Sequence, residues 1–320
     1  MTESVPAGTL PIDAFQETIL RQVERHPVVI LTAETGAGKS TRVPLWLWRL
    51  GMRVRVTQPR RIAARALSHY LAEITGTPWG GAIGFQTGLD RCCSRQTRLL
   101  YLTDGVQMQR EIQAKRDWDA LILDEVHEWN LNQETLMGTV RENLDRGVYR
   151  KEKKKVVVMS ATLQANRLSR FLKDAPVISV PGRGFPVTMH RHHPEFMLSD
   201  TAQLVEGGRN ILVFLPGKRE IEDFGEQLET ALKEDGLHAR ILPLHGELEI
   251  RDQARVFRHY PQPKVVLATD IAQTSLTIDD IDAVIDSGQK KEIQIRKGIE
   301  GLYPVDISRA ECLQRAGRAG

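Results

Sequence analysis

The chain has 320 residues, more than a single hydrophobic core usually holds, so we expect two domains. Hydrophobic residues make up 41% and charged residues 27% of it, a mixture that is typical of globular proteins and excludes global disorder. With 44 basic and 41 acidic residues the net charge is only +3, so any basic track for nucleic acid must be local.

Short runs rich in β-branched residues alternate with segments of helical periodicity in the first half of the chain. Continuous apolar strands joined by helices are typical of parallel sheets covered on both faces, so the predicted fold class is α/β. The predicted helices lie at 12–25 and 62–74, and the predicted strands at 28–32, 54–57, 98–102, 120–123 and 156–160.

A turn-rich stretch at 180–185, which contains Pro181, Gly182 and Gly184, interrupts this alternation and is the predicted linker. The same scheme then repeats, with predicted strands at 211–215, 265–268 and 283–286 and predicted helices at 220–233 and 247–259. We therefore expect one domain at 1–180 and a second at 181–320.

The cysteines and the N-terminal segment bear on the compartment. Cys92, Cys93 and Cys312 form an odd set without CxxC spacing, which indicates neither a zinc site nor a disulfide framework. The start MTESVPAGTL lacks the pattern of a signal peptide, and no run approaches 18 apolar residues. We expect an intracellular, cytoplasmic and soluble protein that does not enter a membrane.

A glycine-rich segment, AETGAGKST at 33–41, lies between the predicted strand 28–32 and a helix. In such a turn backbone N–H groups point at phosphate oxygens, and the helix N-terminus adds positive potential. Lys39 is expected to grip the β and γ phosphates, and the Ser40 hydroxyl to ligate Mg²⁺. Because Ala33 replaces the first glycine of GxxxxGK[ST], the signal is weak without its strand and helix context. The other nucleotide-binding candidates in the segment are Thr35, Gly36, Ala37, Gly38 and Thr41.

Two carboxylates follow the apolar strand in DALILDEVHEW. Ligands of open α/β sheets bind at strand C-termini, so these carboxylates should lie beside the glycine-rich segment. Asp124 is expected to hold Mg²⁺, and Glu125 to orient and deprotonate the attacking water, so Ser40, Asp124 and Glu125 form the predicted metal set. A solvated strand end is the alternative interpretation of the pair. His127 is either structural or couples the site to the γ-phosphate, and the second role is favoured by its position.

Six further segments accompany these two: TQPRRIAA (57–64), TDG (103–105), SAT (160–162), VFLPG (213–217), ATDIAQTSLTIDDIDAVIDSG (268–288) and QRAGRAG (314–320). Taken in chain order, all eight resemble the DEAH-box helicases, superfamily 2 motors that mostly act on RNA. The resemblance covers nearly the whole chain and is most specific in the last two of its segments. It implies two tandem RecA-like domains, each a mainly parallel sheet flanked by helices, and the use of ATP, with other NTPs accepted, together with Mg²⁺.

The resemblance also implies roles in nucleotide handling for residues of the second half. Gln314 and Arg318 would reach the γ-phosphate, with Arg318 as an arginine finger and Arg315 as its helper. Asp279 would lie near the nucleotide. Phe257 would stack on adenine, although a place in the core of an amphipathic helix explains this residue as well.

Nucleic acid in this family lies across both domains and is held mainly by its backbone, which suits a motor that steps along any sequence. Single-stranded or partly duplex nucleic acid is the implied partner, and family habit alone favours RNA over DNA. For one candidate, His245, packing alone is an alternative explanation to a contact with nucleic acid. The residues at strand-contacting positions of the family are Arg60, Thr103, Asp104, Gly105, His245, Thr274 and Thr277.

The leading functional hypothesis is an ATP-dependent helicase or translocase, and 289–297 is a candidate for a strand-separating hairpin. The alternative is an ATP-gated nucleic-acid clamp or remodelling component without processive unwinding. The sequence stops at Gly320, before a second arginine that the family places directly after QRAGRAG. On that basis the second domain is expected to be truncated at its C-terminal end.

Overall fold

Two sheets of mainly parallel strands form the framework of the protein. The structure is a computed structural model that describes residues 10–34, 36–113, 116–161, 165–181, 187–248, 250–273, 278, 280–296 and 298–319, without the side chains of residues 250, 251 and 254. The chain divides into two units, Met1–Gly184 and Phe185–Gly320, and each contains one of the sheets.

The first unit contains an eight-stranded sheet with helices between its strands. Its strands are β1 (Val28–Ala33), β2 (Val54–Gln58), β3 (Ile83–Gln86), β4 (Arg91–Cys92), β5 (Leu99–Thr103), β6 (Ala120–Leu123), β7 (Lys155–Ser160) and β8 (Val177–Val180). Its helices are α1 (Gln16–Arg25), α2 (Lys39–Arg49), α3 (Arg61–Ile74), α4 (Asp104–Ile112), α5 (Leu131–Asp145), α6 (Val148–Lys151) and α7 (Ala165–Phe171), with a 3₁₀ turn at Pro11–Phe15 before α1.

The middle of this sheet is buried on both faces, because the side chains of β1, β6 and β7 alternate between two separate cores. Along β1, Val29 and Leu31 belong to one cluster with residues of α2 and α3, whereas Val28 and Ile30 belong to a second cluster with residues of α5 and α7. This alternation is the period-two geometry of a strand. It explains why the strands read as continuous apolar runs.

The strand order β4-β3-β5-β2-β6-β7-β1-β8 brings the predicted motifs to one edge of the sheet. Every pairing in it is parallel except that of β3 with β4. The C-terminal ends of β1, β2, β5, β6 and β7 therefore lie along the same edge, which is where ligands bind in open α/β sheets.

The second unit contains a four-stranded parallel sheet in the order β10-β11-β9-β12 and an antiparallel ribbon of two further strands. The strands are β9 (Ile211–Phe214), β10 (Arg240–Leu244), β11 (Lys264–Ala268), β12 (Ala283–Asp286), β13 (Gln289–Arg296) and β14 (Ile299–Asp306). The helices are α8 (Met197–Glu206), α9 (Lys218–Glu234), α10 (Ile250–Gln253) and α11 (Arg309–Ala316), with 3₁₀ turns at Pro194–Phe196, Ala254–Phe257 and Asp270–Ala272.

The predicted α/β class is confirmed, and each predicted strand is present within one residue at either end. The predicted helix 247–259 is wrong in extent, since it is only the short α10 followed by a 3₁₀ turn. Among the strands that the sequence analysis missed is β10, which contains Pro243. Among the described strands β10 lies at the edge of its sheet next to β11, and an edge position tolerates a residue without an N–H. Among the described helices none has the length and apolar composition needed to cross a bilayer.

Candidate functional site

The glycine-rich segment turns from the end of β1 into α2 in a backbone conformation that needs glycine. Gly36 and Gly38 have φ angles of 81° and 91°, in the left-handed region. A Cβ on Gly38 would also lie 2.5 Å from Leu10 Cδ1, so both the φ angle and the lack of space require glycine at this position. Ala37 is buried, and Thr41 Oγ1 donates a hydrogen bond to the Gly38 carbonyl at 3.1 Å. Thr35 lies outside the described residues.

Lys39 begins α2 and points its ammonium group at the acidic strand end. Its side chain is only 5% exposed, and Nζ lies 3.2 Å from Glu125 Oε1. The next residue is fixed to the sheet, because the Tyr101 hydroxyl donates to the Ser40 carbonyl at 2.7 Å. The glycine-rich segment and the acidic strand end therefore form one site, as predicted from strand C-termini.

Asp124 is fully buried and held in place on both oxygens. Gln58 Nε2 donates to Oδ2 at 2.6 Å, and the Glu125 N–H donates to Oδ1 at 2.9 Å. Burial, and then the neighbouring charge of Glu125, raise the pKa of Asp124 to about 7, although Lys39 and hydrogen bonds from Ser40 and Gln58 act in the opposite direction. This carboxylate is therefore costly to keep ionised without a further cation.

The residues present fit Mg²⁺. Asp124 supplies a carboxylate and Ser40 a hydroxyl, which are hard oxygen donors, and a bound cation would offset the repulsion between Asp124 and Glu125. No group of three or more His, Cys, Asp or Glu side chains that would hold a metal occurs among the residues that the structure describes. Water and nucleotide phosphates would have to complete the shell, which is the usual mode for Mg²⁺.

Glu125 adopts an unusual backbone conformation that its neighbours impose. Its φ angle is 53°, a left-handed value that costs a residue with a Cβ about 1–2 kcal/mol. Gln133 Nε2 donates to the carbonyls of Asp124 and Glu125 at 3.3 and 3.4 Å, and the Val126 N–H donates to the Met159 carbonyl at 3.1 Å. Gln133 thus contacts the main chain of this turn, and the sequence analysis missed it, since no motif marks it.

His127 connects the acidic pair to the segment after β7. Its Nδ1 lies 3.4 Å from Glu125 Oε2 and accepts a hydrogen bond from the Ala161 N–H at 3.4 Å. Burial, and to a smaller degree Lys39, lower the pKa of His127, while Glu125 raises it. A neutral ring can accept from Ala161, whereas a proton on Nδ1 would replace that bond with one to Glu125. The ring therefore has two alternative partners, of which one is in the SAT segment.

Two predicted strand-contacting residues lie at helix N-termini on the same sheet edge. Arg60 is the N-cap of α3, with Nε 3.3 Å from Glu128 Oε2, and Thr103 is the N-cap of α4, whose first turn contains Gly105. Because β2 and β5 are neighbours, these helix ends lie side by side and combine their positive potential. The arrangement suits an anionic backbone.

Asp104, a third strand-contact candidate, is buried instead of presented to solvent. Asn130 Nδ2 donates to its Oδ2 at 3.0 Å, while Asn130 Oδ1 accepts from the Gln133 N–H at 3.0 Å as the N-cap of α5. In this structure the carboxylate joins α4 to the start of α5. A contact between Asp104 and nucleic acid stays a prediction.

The burial of Asp104 predicts a pH-dependent stability. Burial, opposed by the Asn130 hydrogen bond, raises the pKa of Asp104 from 3.8 to about 6. Since the folded pKa exceeds the unfolded one, this group favours the fold below about pH 4, and the contribution is lost as the pH rises through about 6. Asp104→Asn should therefore raise the free energy of unfolding at pH 8 by up to about 3 kcal/mol.

The measurement is thermal or denaturant unfolding of Asp104→Asn and the parent chain between pH 5 and pH 8. The gain should shrink steadily toward acid, and Glu73→Gln, an exposed change on α3, serves as the control. A pH-independent difference between Asp104→Asn and the parent would contradict the assignment.

Three candidates of the second unit lie on or directly after α11, and one of them is enclosed. Arg315 is 0% exposed, and its guanidinium donates to Asp286 Oδ1 at 2.7 Å, to Gln273 Oε1 at 3.1 Å and to the Gln289 carbonyl at 3.2 Å. A nucleotide contact by Arg315 would require this network to break. Gln314 and Arg318 are also bonded to Gln273.

The remaining candidates of the second unit differ in exposure. Phe257 exposes 41% of its surface on a 3₁₀ turn, which is not a helix-core position and leaves its ring available for stacking. His245 is buried, with Nδ1 accepting from the Glu247 N–H at 3.3 Å, and burial and Lys218 lower its pKa. Thr274, Thr277 and Asp279 lie outside the described residues.

Comparisons with known proteins agree with this arrangement. Residues 13–171 match the family described as DEAD/DEAH box helicase, and residues 196–320 match the helicase conserved C-terminal domain. The chain is 35% identical to the ATP-dependent RNA helicase HrpA of Escherichia coli and to an ATP-dependent RNA helicase HrpA homolog of Haemophilus influenzae, over 97% and 98% of its length. It spans only 25% of the length of either relative.

Solved structures give the same result at the level of the fold. The crystal structure of the Escherichia coli DEAH/RHA helicase HrpB superimposes with a TM-score of 0.84 at 35% identity, over 97% of this chain and 41% of that one. A second structure, of the Escherichia coli DExH-box NTPase HrpB, gives a TM-score of 0.78 at 34% identity, over 99% and 41% of the two chains.

Proposed function

The chain belongs to the DEAD/DEAH-box helicase family, and from that premise we propose that it is an ATP-dependent motor that moves along or unwinds nucleic acid, with RNA as the favoured substrate. The relatives named RNA helicase are about four times as long as this chain. The chain matches 25% of the length of each of them. The proposal therefore concerns what residues 1–320 do by themselves.

The observation that carries the proposal is the buried pair of Lys39 and Glu125. Lys39 begins a helix after the glycine-rich turn, and Glu125 belongs to a strand end with two carboxylates. Lys39 Nζ lies 3.2 Å from Glu125 Oε1. A phosphate-gripping ammonium next to a candidate base for water is the arrangement that phosphoryl transfer to water requires. A structural ion pair would not need the left-handed turn at Gly36 and Gly38.

The contacts at the site support the following chemical roles. Lys39 binds the β and γ phosphates, and Glu125 orients the attacking water and takes its proton. Asp124 and Ser40 would hold Mg²⁺, which supplies charge neutralisation at the phosphates. His127, between Glu125 and the Ala161 N–H, passes the state of the site to the SAT segment. Gln314 and Arg318 keep their predicted role at the γ-phosphate.

The discriminating experiment measures Mg·ATP hydrolysis by the purified chain without nucleic acid and with single-stranded RNA, single-stranded DNA or duplex. We expect stimulation that is larger with RNA than with DNA. Absence of hydrolysis under all of these conditions would refute the motor. A count of ATP turnovers per binding event on long and short strands separates a motor from an ATP-gated clamp, since only a motor should exceed one turnover on long strands.

Arg60 provides a separate prediction on nucleic-acid binding. Arg60→Ala should weaken binding about equally for all sequences and lower the slope of log K against log salt by roughly 0.7–1, because one phosphate contact is lost. The slope is measured by fluorescence anisotropy with a labelled single strand. Arg146→Ala, an exposed arginine next to α5, is the matched control. An unchanged slope for Arg60→Ala would remove this residue from the backbone track.

A further inference from the structure

Backbone and side-chain contacts join the 3₁₀ turn Pro11–Phe15, and the residue before it, to the glycine-rich segment. The Ile12 N–H donates a hydrogen bond to the Ala37 carbonyl at 3.3 Å. Leu10 and Ile12 occupy the space beside Gly38, since a Cβ built on that glycine would lie 2.5 Å from Leu10 Cδ1 and 3.3 Å from Ile12 Cγ2. Ile12 is fully buried. The turn is therefore packed directly against the glycine-rich segment.

Asp13 is bonded to the turn by one oxygen and to α2 by the other. Its Oδ2 accepts from the Leu10 N–H at 2.9 Å, as in a capping box, while its Oδ1 lies 3.2 Å from Arg42 Nε. The side chains of Asp13 and Arg42 are only 24% and 12% exposed, so solvent screens this ion pair less than a surface pair. The Arg42 N–H in turn donates to the Gly38 carbonyl at 2.9 Å. Asp13 therefore links the turn to the helix that begins with Lys39.

The hydrogen bond from Ile12 determines the direction in which one peptide group of the glycine-rich segment faces. The peptide between Ala37 and Gly38 is trans, so its C=O and its N–H point in opposite directions. Because the Ala37 carbonyl points at the turn, the Gly38 N–H points away from it, to the side that the turn leaves open. A flipped peptide would present a carbonyl oxygen to phosphates, whereas the observed orientation presents a donor.

We propose that residues 10–15 form a strap that orients the glycine-rich segment for phosphate, with Asp13 and Arg42 as its positioning residues. The inference rests on the proposed ATPase function. Neither residue touches the nucleotide in this assignment, and both act through the segment that they hold. Loss of the Asp13 contacts should therefore weaken the binding of any ligand that is held by its phosphates. It should leave the chemical step, which uses Lys39 and Glu125, nearly unchanged.

Two substitutions at residue 13 separate the contacts of its carboxylate. Asp13→Asn keeps an oxygen for the Leu10 N–H and loses the charge opposite Arg42, whereas Asp13→Ala loses both contacts. Arg42→Gln removes the ion pair from the other side. Glu17→Ala is the matched control, since it breaks an exposed ion pair with Arg21 within α1.

The test is equilibrium binding of Mg·ATP and of Mg·tripolyphosphate to the purified chain, measured by calorimetry well below the melting temperature. Asp13→Ala should raise the Kd for both ligands about fivefold, the effect of losing one partly buried hydrogen bond or cap, and Glu17→Ala should leave it unaltered. The kcat for ATP should change less than about twofold. An unchanged Kd for tripolyphosphate in Asp13→Ala would overturn the proposal, as would a change confined to ATP.

A double-mutant cycle tests whether the ion pair itself contributes. Asp13→Asn and Arg42→Gln should each raise the Kd for tripolyphosphate about twofold, and no further when combined, because they remove the same pair. Additive losses would mean that the two side chains act independently, which contradicts a strap held by their contact.

Hydrogen exchange gives a second readout that needs no ligand. In the parent chain the Ile12 amide should exchange slowly, because it is bonded to Ala37, and in Asp13→Ala it should exchange faster while the amides of β1 keep their protection. Equal exchange at Ile12 in the two chains would overturn the proposal. Absence of binding to both phosphate ligands in the parent chain would refute the proposed function, whereas binding that Asp13→Ala leaves unaltered would refute only the strap.

Discussion

Lys39→Ala is expected to reduce ATP hydrolysis by at least about 10²- to 10³-fold, because it removes the cation that stabilises charge on the transferred phosphoryl group. The measurement is the steady-state ATPase rate at saturating Mg·ATP with and without single-stranded RNA. Arg49→Ala, an exposed cation at the other end of the same helix, is the matched control and should retain the parent rate. Turnover equal to that of the parent chain in Lys39→Ala would refute the assignment of 33–41 as a phosphate-binding loop.

The same substitution also affects stability, because Lys39 and Glu125 are both about 5% exposed and pair with one another. Removing one partner of a buried pair leaves an uncompensated charge, which typically costs about 3–5 kcal/mol. A loss of activity in Lys39→Ala alone would therefore be open to a trivial explanation. The double variant Lys39→Ala/Glu125→Gln removes both charges of the pair, so it should regain thermal stability, whereas its affinity for Mg·ATP should stay below that of Glu125→Gln. Equal Mg·ATP affinity in the double variant and in Glu125→Gln would contradict the role of Lys39 at the phosphates.

The local features of the sequence were sufficient for the fold. Runs such as VVIL and LIL are apolar because each strand is buried on both faces, so the strands and the edge where they end could be predicted. The pair of RecA-like domains that the resemblance implied is confirmed by two mainly parallel sheets and by the helicase neighbours. Short strands such as β4 and β10 were missed because two residues, or a strand with a proline, carry too little pattern.

The supporting residues of the site were not predictable, because their partners are distant in sequence. Gln58 lies 66 residues from Asp124, and Gln273 lies 41 residues from Gln314. Both glutamines lie in segments of the resemblance, yet the neighbouring residues do not show which side chain either one contacts. Burial is a further property that a motif does not contain: Asp104 and Arg315 stand at family positions, yet the structure encloses both side chains. Sequence motifs named the candidate residues, whereas only the fold shows what holds them.

Glu125→Gln is expected to separate nucleotide binding from hydrolysis more cleanly than any change at Lys39. The amide has nearly the shape of the carboxylate, so the left-handed turn at residue 125 and its Gln133 hydrogen bonds to main-chain carbonyls should persist. It cannot accept a proton from water, and loss of a general base lowers turnover by about 10²- to 10⁴-fold. The neutral side chain also removes the like charge beside Asp124, so the affinity for Mg·ATP should be kept or increased.

Binding is measured with a fluorescent ATP analogue and Mg²⁺, and hydrolysis by phosphate release under single-turnover conditions, so that slow product release does not hide the chemical step. Glu134→Gln, an exposed carboxylate on α5, is the control and should match the parent chain in both assays. Retained hydrolysis in Glu125→Gln would reassign the base. Loss of both binding and hydrolysis would instead make Glu125 a structural counter-ion of Lys39, because only then is its charge needed before the chemical step begins.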